Sequence, residues 1–125
     1  MKLFTVQEAN ELLPSVRLIL QRIQLSRRRL FAFAKQAKLA AEGAEMGGGG
    51  MIDGPMYALL LTNSTLELAE LEELGVQIKD FDRGLIDFPS LRDGRVVLLC
   101  WQLGEGDELE WWHDLESGFA GRTRL

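Results

Sequence analysis

The chain has 125 residues, a length that fits one domain with a sizeable core. Hydrophobic residues make up 46% and charged residues 26%, a globular balance that excludes disorder throughout. The net charge of −5 is split between a basic half, with eight Lys or Arg and two Glu in residues 1–41, and an acidic half, with six basic and seventeen acidic residues in 42–125.

The first segment, "MKLFTVQEANELLP", lacks the apolar stretch and small-residue cleavage site of a signal peptide. No apolar run approaches the roughly 20 residues that a spanning helix needs. A cytoplasmic protein with no membrane partner is expected. Thr5 and Glu8 have capping-box spacing, so a helix should start at Val6. Pro14 predicts a break or kink near Leu13, because a proline inside a helix loses a hydrogen bond and clashes one turn back. A long helix should then run to about Glu42, with one apolar stripe through Val16, Ile19, Leu20, Ile23, Leu30 and Phe33.

Residues 43–54 are rich in glycine and should form a flexible connector. They lack the Lys-Ser or Lys-Thr of a phosphate-binding loop, since Met51 follows the last of the four glycines. A second helix should begin after Pro55, with Tyr57, Leu61, Ser64, Leu68 and Leu71 on one face. Gly75 should end it. Two helices joined this way predict an antiparallel hairpin over 5–75. Positions summing to about 97 would then face each other, placing Arg27, Arg28 and Arg29 against Glu67 and Glu70. That pairing, and the acidic total, make nucleic acid an unexpected partner.

The remainder, 76–125, reads as a β-meander and tail. Four strands are predicted, over 76–81, 84–89, 95–103 and 108–113. Asp93-Gly94 marks a hairpin turn. The fold class is therefore α+β, an N-terminal helical hairpin followed by a four-stranded antiparallel meander, with 1–125 as a single domain.

Two-residue periodicity sorts the sheet into faces. Asp87 should oppose Cys100, and Cys100 should oppose Trp111. One face then holds Ile86, Phe88, Val97, Leu99, Trp101 and Trp112, and packs on the helices. The other holds Leu85, Asp87, Leu98, Cys100, Leu109, Trp111 and His113. A helical hairpin covers one side of a sheet, so this second face needs another cover. The tail around Phe119 and Arg122, a second subunit or a ligand would each serve.

The ligand or interface candidates are Asp87, Cys100, Trp111, His113 and Arg122. Cys100 is the only cysteine, which excludes an intramolecular disulfide and fits a reducing compartment. Beside His113 it has the makings of a thiol–imidazole pair, but acidic surroundings raise a thiol pKa and favour an inert thiol. Asp87 among apolar neighbours needs a partner, and Arg122, Arg124 or Arg95 would supply one. Glu105 sits on a glycine-flanked turn, where acids are usually solvated. No metal is expected, because structural zinc wants four Cys or His at recognisable spacing. Asp87, Cys100 and His113 are the weaker alternative for one. No catalytic residue is assigned, and the cofactor is unknown.

The stretches "FTVQEANELLP", "GVQIKDFDRGLIDFPSLRDGR" and "LLCWQLGEGDELEWWHDLESGFAGR" together resemble the uncharacterised bacterial family catalogued as domain of unknown function 2203. The resemblance covers essentially the whole chain. It implies a small bacterial protein with helices followed by a short sheet, and no established activity or functional residues. The leading expectation is a non-enzymatic, self-associating protein-interaction module. It would be a homodimer using the second sheet face or the helical hairpin, with another protein as a further partner class. The alternative is a small ligand- or metal-binding protein, hydrolytic in its strongest form, with its site on the second sheet face.

Overall fold

The computed structural model describes residues 1–45 and 54–125. Most of the glycine-rich connector expected over 43–54 lies outside the described residues. Helix α1 spans Val6–Glu45 and α2 spans Gly54–Glu73. The capping box forms as expected: Glu8 N–H donates to Thr5 Oγ1 and Thr5 N–H donates to Glu8 Oε1, each at 3.0 Å. Those bonds favour the ionised carboxylate and hold the Glu8 pKa below its usual value.

The expected break at Leu13 is absent. Helix α1 runs through Pro14, which is exposed. Ala9 and Leu13 before the proline, and Val16 and Leu20 after it, are all buried in one core. Packing on both sides carries the helix across a residue that local propensity would use to end it.

The two helices run antiparallel. Arg22 meets Glu70 at 3.7 Å, Ser26 Oγ donates to Glu67 at 2.9 Å, and Phe33 stacks on Tyr57 with centroids 5.6 Å apart. This register is one to two turns away from the expected one. It follows the shared core, where Ile23 and Leu71 are both buried. Arg27 consequently pairs with Asp82 beyond α2, at 3.8 Å. Gly75, at φ 89°, ends the hairpin as a left-handed stop.

Among the described residues the sheet has five antiparallel strands in chain order, not four. They are β1 Gln77–Asp80, β2 Leu85–Arg92, β3 Arg95–Gln102, β4 Trp111–His113 and β5 Thr123–Arg124. Asp93 and Gly94 both have positive φ, at 51° and 78°, as a two-residue type I′ hairpin requires. That turn sets the register, with Asp87 opposite Cys100 and Phe88 opposite Leu99. Across the next pair, Cys100 opposes Trp111 and Leu99 opposes Trp112. The fifth strand pairs Arg124 with Trp111 and Thr123 with Trp112.

The strand expected over 108–113 is shorter, because residues before Trp111 turn towards α1 instead. Leu109 N–H donates to Asn10 Oδ1 at 2.7 Å. The Leu109 side chain leaves the second face and joins the helix-side core. That core packs Leu13, Val16, Leu20 and Ile23 of α1 against Ile86, Phe88, Leu99 and Trp101. Each such side chain stabilises the fold by about 1.5–3 kcal/mol when fully buried. The N-terminus is tied to the same sheet: Phe4 N–H donates to Pro89 O at 2.7 Å, and Ser90 Oγ donates to Phe4 O.

Candidate functional site

The second sheet face is closed by the chain itself over its centre. Leu98, Cys100 and His113 there are only 1–3% exposed. The tail supplies part of the cover. Phe119 begins a short 3-10 turn, and Arg122 follows it. The Arg122 guanidinium lies 3.9 Å from the Phe119 ring centroid and 4.9 Å from that of Trp111. Its Nη1 donates to Glu105 Oε2 at 2.9 Å and reaches Cys100 Sγ at 4.0 Å. The tail, one of the three covers expected for this face, lies over it.

Under that cap, three polar side chains converge. Asp87 comes from β2, Cys100 from β3 and His113 from β4, and all three are buried. Their ligand-type atoms all lie within 4.8 Å of one another. The in-register pairing of Asp87 with Cys100 brings two of them together. His113, opposite Leu98, is the third and reaches diagonally across β3 to Asp87. His113 Nε2 lies 3.0 Å from Asp87 Oδ1. Asp87 thus finds its partner in an imidazole and not in an arginine. The arginines are committed elsewhere: Arg122 to Glu105, Arg95 to Asp114 at 2.8 Å, and Arg124 to the Trp111 ring at 5.1 Å.

The proton on His113 can be placed by elimination. Nδ1 lies 2.7 Å from the Asp114 carbonyl oxygen, which only accepts, so Nδ1 carries a hydrogen. Nε2 makes the remaining hydrogen bond of the ring, with Asp87 Oδ1.

Cys100 is the inert member. Burial pushes its thiol up to about 12 from 9.0, with the Asp87 carboxylate adding to the rise and the Arg122 guanidinium opposing it. A thiol in that state is not a nucleophile at neutral pH.

Glu105 does more than its turn position suggested. Besides Arg122, it accepts the Gln102 N–H at 2.8 Å. The "GEGD" spacing alone gave no sign of a partner 17 residues away. Trp111 and Trp112 face opposite sides, and each ring is flanked by arginines: Arg122 and Arg124 on Trp111, Arg92 and Arg95 on Trp112.

A second feature lies on the helices. Leu18, Leu25, Ala32 and Leu39 recur every seven residues along α1 and all are exposed. Leu18 is about 200° of rotation from each of the buried Val16 and Leu20, so this stripe faces away from the core. Leu18 and Leu39 are 60% and 59% exposed. On α2, Leu59 and Leu66 repeat the same spacing, at 52% and 62% exposed. The repeat is present in the sequence, but the core-facing stripe beside it dominates the pattern.

Among the described residues, no helix is long and apolar enough to cross a membrane. A family model described as an uncharacterized conserved protein, DUF2203, matches residues 2–125. The chain belongs to that family. No curated protein and no solved structure matches it. Membership in DUF2203 carries no residue roles, so the functional argument rests on this chain's own geometry.

Proposed function

We propose that the chain is a non-enzymatic interaction module that pairs with a second copy of itself through the helical hairpin. The observation that carries this is the exposed leucine stripe on α1, Leu18–Leu25–Ala32–Leu39, with its counterpart Leu59–Leu66 on α2. One exposed apolar residue per heptad supplies half of the a/d seam along which helices associate. Apolar positions facing away from a helix's own core need another surface to cover them.

Charge selects the pairing. Arg29 flanks the α1 stripe, while Glu73 continues the α2 stripe. Two α1 stripes laid together would bring like charges into contact. An α1 stripe on the α2 stripe of the second copy brings opposite charges together, which favours that partner and suppresses the other. The inert thiol and the covered sheet face fit a module without catalysis.

Light scattering on the purified protein tests this. The wild type should run at twice the mass of its 14.1 kDa chain. Leu18→Glu with Leu39→Glu should return it to one chain with an unchanged far-UV circular dichroism spectrum, since both positions are exposed. A wild type that stays monomeric at every concentration would remove the proposal.

A further inference from the structure

We propose that Asp87, Cys100 and His113 form a binding site for one divalent transition-metal ion, Zn2+ by the chemistry of the ligands. This goes beyond the self-association proposal and does not depend on it.

The donor set is one thiol, one imidazole and one carboxylate. Those are the three side-chain types that zinc takes, and thiolate with imidazole selects it over the hard oxygen-seeking ions. No ligand-spacing motif marks the set, because its members sit on three different strands. The sheet register assembles them, with the ligand-type atoms all within 4.8 Å of one another.

The imidazole is already oriented for the task. Its Nδ1–H is held by the Asp114 carbonyl oxygen at 2.7 Å. Metal-ligating histidines are fixed in this way, with the other ring nitrogen turned to the ion. Here that nitrogen is Nε2, the atom that faces Asp87.

With metal bound, a thiolate and a carboxylate would balance the dication beside a neutral imidazole, since metal ligands bind in their deprotonated forms and release their protons to solvent. Arg122, 4.0 Å from Sγ, is an N–H donor placed to hydrogen-bond a thiolate, and Glu105 offsets its charge at 2.9 Å.

The test uses untagged full-length protein stripped with a chelator and titrated with Co2+. A thiolate-to-cobalt charge-transfer band in the near ultraviolet should grow and saturate at a single equivalent. Zn2+ should displace it and raise Tm. Cys100→Ser, with unchanged far-UV circular dichroism, should lose the band, and Asp87→Asn should weaken binding tenfold or more. No saturable band in the folded wild type would overturn the proposal, as would a band of equal strength in Cys100→Ser. The Leu18→Glu/Leu39→Glu variant should keep the full band, so failure of self-association and failure of the metal site are told apart.

Discussion

At the scale of single residues, Cys100 is held in its neutral form. With its thiol raised to about 12, roughly one molecule in 10⁵ is a thiolate at neutral pH. A thiol reagent should therefore label the metal-free protein only as it unfolds, and rapid stoichiometric labelling of the folded state would contradict the geometry. The sign of the pH effect follows. Between 9.0 and about 12 the folded metal-free chain keeps a proton that the unfolded chain has released. Cys100 thus lowers stability as pH rises through that window. Denaturant midpoints at about pH 8 and about pH 11 should diverge more for the wild type than for Cys100→Ala. His113→Ala leaves Asp87 buried without its partner, and should cost about 3–5 kcal/mol in chemical denaturation. Gly84 is a backbone case. Its φ is 63°, and an added Cβ would meet Leu103 Cδ1 at 2.5 Å. Gly84→Ala should cost about 1–3 kcal/mol by the same measurement.

At the scale of elements, what was legible depended on whether the deciding contact was local. The α1 start was readable because Thr5 and Glu8 are three residues apart and satisfy each other. The β2–β3 register was readable because Asp93-Gly94 is a turn that specifies its own pairing. From that one turn the Asp87–Cys100 pairing follows, and with it most of the candidate cluster. The failures were non-local. Pro14 was expected to interrupt α1, but the sheet packs on the helix either side of it. The last expected strand lost its first half because Leu109 N–H is taken by Asn10, 99 residues away. The two-residue β5 is too short to carry a periodicity, and its partner β4 decides it. Glu105 belongs with these: its ion pair with Arg122 is invisible until the tail returns to the sheet. Arg122→Ala should open the cover over Cys100 Sγ and speed thiol labelling relative to the wild type, even though the guanidinium that lowers the thiol pKa is lost. An unchanged labelling rate would show that the tail does not guard the sulfur.

At the scale of the whole molecule, the sheet and the proximal half of the hairpin satisfy each other, and the rest of the hairpin does not. The core-facing stripe of α1 ends in a buried cluster, whereas the leucines on its other side remain in solvent. Two sets of variants separate the stripes. Leu18→Glu/Leu39→Glu disables α1, and Leu59→Glu/Leu66→Glu disables α2. Sedimentation velocity on each alone, and on the two mixed, is the most direct measurement. If α1 of one copy lies on α2 of the other, each variant alone sediments as a monomer. The mixture restores a dimer, because an intact α1 stripe meets an intact α2 stripe. A mixture that stays monomeric, or either variant dimerising alone, would contradict the account.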